Sequence, residues 1–462
     1  MDNYDQKRQL ILTGNINKVI LSLSAPIMFN NFIQTIYNLT DTLWISRLGG
    51  TQIAAMTLVW PVIFFILAIG IGISIAGTSL ISQYTGADDS TNATRVAGQL
   101  LSFSLIFSIL LGFIGYLITT PIVRFMGAEG LLLQEGSRYL KIMFLGMPTI
   151  FLFVGFTSIK QGQGDTITPM KYSAISVVLN MILDPIFIFT LNLGIGGAAI
   201  ATVLSRGIFA VYAIYSLITY EKGIRLRKAD LKLNRDLLTS LIKIGLPSSV
   251  GQSTTALGFM VLNMFIISFG QSTLAAFGIG NRINSLILMP AMGIGSALVT
   301  IVGQNLGADQ IKRAKKAVQA SAVLTTAFMV SGGLIIYPFI PKIISFFTHE
   351  KEIAELAILY FRLITLSLPL MGFYQIFIGT FQGSGHTVMA MIIMMGRLWV
   401  LRIPMILLFK KYTNWGSSSV WYAMILSNAI ITLLAYLIYL SGRWEKKVIK
   451  KRIATKVLSE AD

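Results

Sequence analysis

Long apolar runs separated by short polar stretches recur along the whole chain. Each run is at least about 18 residues long, enough to cross ~30 Å of hydrocarbon as a helix. About twelve can be placed, centred near residues 30, 68, 107, 149, 181, 208, 255, 288, 330, 370, 398 and 430. The pattern predicts an all-α polytopic membrane protein. The connections are short, no separate soluble domain is expected, and neither tail could bury a core.

The order of residues repeats. A shift of 221 residues sets Pro26 over Pro247, Ala54-Ala55 over Ala275-Ala276, and Gln83, Gly86, Ala87 and Asp88 over Gln304, Gly307, Ala308 and Asp309. The same shift pairs Tyr139 with Tyr360, Pro148 with Pro369, and Gln161-Gly162-x-Gly164 with Gln382-Gly383-x-Gly385; Pro185 then stands opposite Pro404 at a shift of 219. Six spans is an even number, so both halves enter the bilayer in the same sense. The expected fold is therefore twelve transmembrane helices in two parallel six-helix lobes, 1–221 and 241–445, joined by a linker over 222–240 and ending in a basic tail over 446–462. Parallel repeats of this kind place a substrate near the midplane between the halves and move by rocking one bundle against the other.

Polar residues inside the apolar runs carry the chemistry. An ionised side chain at mid-membrane costs roughly 2.5–3.5 kcal/mol on insertion scales. The first half holds two such acids, Asp41 and Asp184; the second half has none, for no acid stands between Asp236 and Asp309 or between Glu355 and Glu445. Asn30, Gln34, Tyr37, Asn38 and Asp41 follow steps of three and four, one stripe on the first helix. Asn180 and Asp184 share a face of the fifth. Pro185 removes a backbone donor beside Asp184 and predicts a loosened turn there, and Pro26 does the same near the start of the first helix, so both are candidate hinges. A close pair of buried carboxylates suits a proton, or Na⁺ held with Asn and Thr oxygens. Arg206, one turn beyond Thr202, either faces the acids or snorkels. Arg282, Arg397 and Arg402 are expected at the membrane interfaces. Met260, Met264 and Met289, with Phe373, Tyr374, Phe377 and Phe381, either pack helices or line an adaptable apolar pocket.

Composition and charge narrow the class. Of the 462 residues 54% are hydrophobic and 12% charged, far from a soluble balance. The net charge of +18 reads as topology rather than nucleic-acid binding. Most Lys and Arg, including Arg225, Arg227, Lys228, Lys232, Lys312, Arg313, Lys315, Lys316 and the run from Arg443 to Lys456, fall on the side of the tails. Both termini and the linker are therefore expected in the cytoplasm, with the basic tail at the lipid surface. Lys410 and Lys411 fall outside, so the rule holds as a bias. Cysteine is absent, which excludes disulfides and thiol chemistry. Met1–Asn17 is polar and lacks a signal-peptide core, so the first span is expected to be permanent. His349 and His386 lie in loops without metal-ligand neighbours. Gly70-x-Gly72 and its kin follow no strand and predict no dinucleotide site; Gly72, Gly77, Gly293 and Gly295 are expected to let helices approach closely.

Gln34-Thr-Ile-Tyr37-Asn38-Leu-Thr-Asp41, Asn180-Met-Ile-Leu-Asp184-Pro185 and the repeated QGxG turns together resemble the multidrug and toxic compound extrusion (MATE) family of the MOP superfamily over nearly the whole chain. The likeness is to its DinF and archaeal branch. The resemblance implies two six-helix lobes around a cleft and export of organic cations in exchange for H⁺ or Na⁺, with no enzymatic activity and no cofactor beyond the coupling ion. It implies a cation or proton site at Asp41, Asn180, Asp184 and Thr202 (a metal site only with Na⁺), with Tyr37 and Tyr139 in its hydrogen-bond network. Substrate contacts are expected at Gln34, Asn38, Met260, Met289, Tyr374 and Phe377. The extra C-lobe acids of the NorM branch are missing here. The expected protein is a monomeric, multi-pass exporter of the cell (inner) membrane that handles small organic cations and no nucleic acid. A flippase for lipid-linked saccharide is the alternative, weakly favoured by Arg206. A membrane enzyme or channel is disfavoured by the lack of a nucleophile–base pair and of a shared polar stripe.

Overall fold

The computed structural model describes residues 3–219 and 223–449. Tyr220–Lys222 of the linker and the tail from Lys450, with Lys450, Lys451, Arg452 and Lys456, lie outside the described residues. In the first half α1 (Asn3–Thr13) leads into α2 (Ile16–Ser46), α3 (Gly50–Gly86), α4 (Ser90–Phe125), α5 (Gly130–Leu145), α6 (Met147–Gly162), α7 (Ile167–Pro185) with a π-helical extension at Ile186–Thr190, and α8 (Gly194–Thr219). The second half runs α9 (Arg235–Ile267), α10 (Gln271–Gly307), α11 (Ile311–Ile336), the short α12 (Ile340–Phe347), α13 (Lys351–Gly383), α14 (Thr387–Met395), a π segment at Gly396–Arg402, α15 (Ile403–Tyr412) and α16 (Ser418–Leu440). Among the described residues eleven spans are long and apolar enough to cross a membrane, and α5 with α6, bent by 48°, makes a twelfth when the pair is taken as one span. Each expected centre falls in one of them. The break between α5 and α6 comes at Gly146, with Pro148 at the second position of α6.

The repeat is written into the backbone. Asp88 and Asp309 adopt left-handed conformations at φ 59° and 58°, Gly164 and Gly385 at 84° and 80°, and Gly49 and Gly270 share a second positive-φ region at 133° and 118°. The QGxG glycines therefore close tight turns, as expected. Pro185 is followed by a π turn at Ile186–Thr190. Helix α2, in contrast, runs unbroken through Pro26.

The halves exchange their leading helices. Val19, Ile20, Leu23 and Ile27 of α2 sit in the core of the second half with Ile294, Leu298 and Ile301 of α10. Leu241 and Ile244 of α9 sit in the core of the first half with Ile73 and Ala76 of α3. Farther along, α2 returns to its own half, where Ile33 and Tyr37 pack on Val177 of α7.

The halves meet in a seam at the end that carries both described termini, and small residues make it. A methyl group on Gly86 would overlap the Gln304 carbonyl, and one on Gly307 the Gln83 carbonyl, the same contact reflected by the repeat. Gly72 lies against Ser249 and Gly293 against Met28. With water absent, close van der Waals packing and hydrogen bonds supply what holds such helices together. The Gln83 amide donates to the Gly383 carbonyl at 3.2 Å, and Gln304 donates to Gly162 at 2.9 Å. Thr300 and Ser79 add bonds to Gln161 and Gly383.

Both chain ends clamp this seam. Helix α1, which the sequence leaves as a polar tail, buries Ile11 in the core of the second half. Arg8 donates to the Thr85 and Gly86 carbonyls and pairs with Asp88 at 3.3 Å; Lys7 pairs with Asp165 at 3.1 Å. Burial pushes the Asp165 carboxyl up, but the Thr168 hydroxyl, Lys7 and the Thr168 amide outweigh it and hold it below its ordinary value. At the other end Trp444 is buried against Tyr439, Lys447 pairs with Asp309 at 2.7 Å, and the Val448 amide donates to Gln83 across the halves. The linker is fastened as well. Gln99 of α4 donates to the Asp230 and Lys232 carbonyls and accepts from the Asn234 amide, and α9 begins at Arg235.

Gly86→Ala is expected to lower the thermal midpoint of the purified protein, by the 1–3 kcal/mol typical of overpacking about a backbone that cannot yield. Gly278→Ala, at a helical position with nothing within 4 Å, is expected to leave it unchanged or raise it. Equal midpoints for the two variants would refute the seam's close packing.

Candidate functional site

The polar stripe on α2 divides once the helix is packed. Tyr37 and Asp41 turn into the first half and are buried, Gln34 is half-buried, and Asn38 is exposed. Facing them, α7 buries Ser173, Val177, Asn180 and Asp184, which recur at helical spacing along one side. From α8 comes buried Thr202, and from α5 buried Tyr139. Asp41 is 3% exposed and Asp184 0%.

Hydrogen bonds join most of these side chains in three sets. The Tyr37 and Thr202 hydroxyls are 2.8 Å apart, and the Asn180 amide donates to Asp184 Oδ1 at 3.1 Å. Gln34 donates to the Ser173 hydroxyl at 2.9 Å and accepts from Arg206 at 3.5 Å. Asp41, Asp184, Tyr37 and Tyr139 all lie within electrostatic range of one another. What remains open is a set of acceptors. Asp41 Oδ1, Asp184 Oδ2 and Asn180 Oδ1 are buried without a hydrogen bond among the described residues. A buried acceptor without a donor is costly, and a carboxylate most of all, so these oxygens suit a proton or a small hard cation. No group of three or more His, Cys, Asp or Glu residues suited to a metal occurs among the described residues.

Arg206 does not neutralise the acids directly. Its guanidinium lies 5.3 Å from the centre of the Tyr37 ring and bonds Gln34, and among the described residues it forms no ion pair with Asp41 or Asp184. The expected substrate contacts are not gathered in one place. Phe377 stacks on Phe373 and packs against the tilted rings of Tyr436 and Tyr439 in the second half, and Tyr374 is buried in the same core cluster, whereas Met260 is 43% exposed and Met289 half-buried.

Two expectations for the arginines are corrected. Arg282 is exposed, but Arg397 and Arg402 are 7% and 2% exposed rather than interfacial. Arg402 donates to Ser427 at 3.1 Å and Asn428 at 2.7 Å, and Arg397 covers the Tyr374 ring at 4.3 Å. The two arginines lie near the middle of the span Thr387–Tyr412, and both belong to its π segment. Residues five apart stand about 140° apart on an α-helix, so helical spacing gives no sign that they share a side; an i→i+5 turn brings them together. Ser173 was also missed, although its place seven residues before Asn180 on the buried face marks it.

Residues 26–186 and 247–408 each match the MatE family model, two blocks whose starts are 221 residues apart, as in the internal repeat. The chain is 29% identical over 442 residues to the probable multidrug resistance protein YoeA of Bacillus subtilis, covering 93% of this chain and 94% of that one. It is 28% identical over 433 residues to the multidrug export protein MepA of Staphylococcus aureus, at 91% and 93% coverage. Its fold superposes on a MOP superfamily transporter from Pyrococcus furiosus with a TM-score of 0.89 and 28% identity, covering 96% of this chain and 99% of that one. With its twelve spans, its twofold repeat and both halves matched, this chain belongs to the MatE family of multi-pass membrane transporters.

Proposed function

We propose that this chain is a secondary active multidrug exporter, not an enzyme, that expels organic cations in exchange for H⁺ or Na⁺ by rocking of two lobes, 1–221 and 241–445. The names of its relatives support the cargo class. The observation that carries the coupling is the burial of Asp41 and Asp184 with open oxygens around a helix seated in both halves. Asn180 and Thr202 complete an oxygen set for Na⁺ or a proton relay, and Tyr37 and Tyr139 orient it. Gln34, Asn38, Met260, Met289, Tyr374 and Phe377 stand as candidate substrate contacts.

The physical sequence is short. An ionised, unpartnered carboxylate in the membrane costs roughly 2.5–3.5 kcal/mol, and a bound H⁺ or Na⁺ removes that cost. Ion occupancy therefore changes which packing of upper α2 against α7 and α8 is favoured. Because lower α2 is held in the other half, that change reaches the seam, and Pro26 lies within the lower seat, just before Ile27. One net charge moving through 100 mV supplies ~2.3 kcal/mol, enough for roughly a 50-fold gradient at 1.36 kcal/mol per decade. When a monovalent cation leaves as one H⁺ enters, this electrical term cancels and the ion gradient alone drives export.

The bias of Lys and Arg supports a cytoplasmic side for the seam and for both termini. The halves are then in contact on the cytoplasmic side. The protein works as a monomer of the DinF-like branch. The flippase alternative drew on Arg206, which is engaged with Gln34 and Tyr37 rather than free for a phosphate.

Asp41→Asn in a drug-sensitive host is expected to cut ethidium efflux by tenfold or more at unchanged membrane abundance; retained efflux and resistance would sink the coupling role. In proteoliposomes with H⁺ and Na⁺ gradients imposed separately, at least one is expected to drive uptake against a concentration difference, and failure of both would reject secondary transport. Alkaline phosphatase fused after Asn192 is expected to be active and after Lys232 inactive, the reverse pattern overturning the orientation.

A further inference from the structure

The second half holds a polar cluster of opposite sign to the first. Tyr360 stands 221 residues after Tyr139, and Pro404 stands 219 after Pro185. Where the first half has Asp184 before its π turn, the second has Arg397 and Arg402 within one. Both guanidiniums are more than nine-tenths buried, and no acid pairs with either among the described residues. Arg397, Tyr360 and Tyr374 are the titratable neighbours of Arg402. The open atoms of this cluster can all donate: Arg397 Nε, the Tyr360 hydroxyl and the Asn428 amide nitrogen are buried without a hydrogen-bond partner among the described residues. Arg402 is already aimed by Ser427 and Asn428.

A buried, unpaired cation is among the costliest features a membrane protein can carry, and two together add mutual repulsion. The charge is offset when an anion enters. A guanidinium matches the planar fork of a carboxylate better than a spherical ion, and its donors are already in place. The depth, near the middle of the span, is where parallel repeats meet their cargo.

We propose that Arg397 and Arg402 form a binding site for the carboxylate of a transported compound. The protein's substrates then include zwitterions whose cationic part is handled as in the export reading on which this inference rests. Cationic compounds without an acid group use the cleft without this contact.

The test is a pair of dyes that differ in one group. Rhodamine B carries a free carboxylate beside its cationic ring system, and its ethyl ester masks that carboxylate. Binding to the purified full chain in lipid nanodiscs is read by fluorescence anisotropy. Wild-type protein is expected to bind the acid at least about tenfold more tightly than the ester, the effect of one charge-assisted hydrogen bond. Arg397→Gln and Arg402→Gln are expected to bring the affinity ratio close to one. Equal wild-type affinity for the two dyes overturns the site without recourse to any variant and leaves an inorganic anion as its occupant at most. A preference for the acid that survives both substitutions overturns it as well. Ethidium transport by the same purified wild-type protein, reconstituted into proteoliposomes, is measured alongside. Its absence rejects the export reading and leaves the dye comparison standing by itself.

Discussion

The close crossing of α3 and α10 is the contact on which the rest of the molecule depends. Two long apolar helices cannot be driven together by the hydrophobic effect inside lipid, since lipid tails are as apolar as their side chains. They are held by shape. Gly86 and Gly307 remove the side chains that would keep the backbones apart, and each lies on the carbonyl of a glutamine in the other half. That approach brings Gln83 and Gln304 within reach of the turns at Gly383 and Gly162, so the seam also gains bonds between halves. The clamps formed by α1 and by the segment after α16 make sense only with the crossing in place, because their partners, Asp88 and Asp309, directly follow the ends of the same two helices.

The exchange of leading helices follows from this geometry. With α3 and α10 in contact, α2 and α9 fill the grooves on either side, each against the opposite half. Helix α2 is thereby shared between two bodies. Its early residues belong to one core and its later ones to the other, and buried Tyr37 and Asp41 lie on the later part. An ion arriving at Asp41 acts on a helix that both halves hold, which gives a local charge event a mechanical path to the seam.

Duplication has left the halves alike in backbone and opposed in charge. The matched φ values at Asp88 and Asp309 show how closely the main chain repeats. In the first half buried acceptors wait around Asp41 and Asp184, while in the second buried donors wait around Arg397 and Arg402. In a medium without water or counter-ions, each set is stable only with a partner of the other sign or a proton. One scaffold used twice can thus offer a place for a cation and a place for an anion without either set neutralising the other.

The sequence by itself determined the number of spans, the repeat, its parallel sense and the place of the acids. Each depends on local composition: hydrocarbon thickness sets the length of an apolar run, and a charge inside one is conspicuous wherever it points. Tertiary structure decided the rest. It turned Tyr37 and Asp41 inward and left Asn38 out, though all three lie on one stripe, because only the packing of α7 and α8 selects which part of a stripe is covered. It drew the polar N-terminal segment onto the seam and gave Arg206 to Gln34 and Tyr37. It also buried Arg397 and Arg402, whose five-residue spacing reads as two separate faces until the helix changes from α to π. Partners between distant segments, and departures from the 3.6-residue turn, depend on neighbours that no local pattern records.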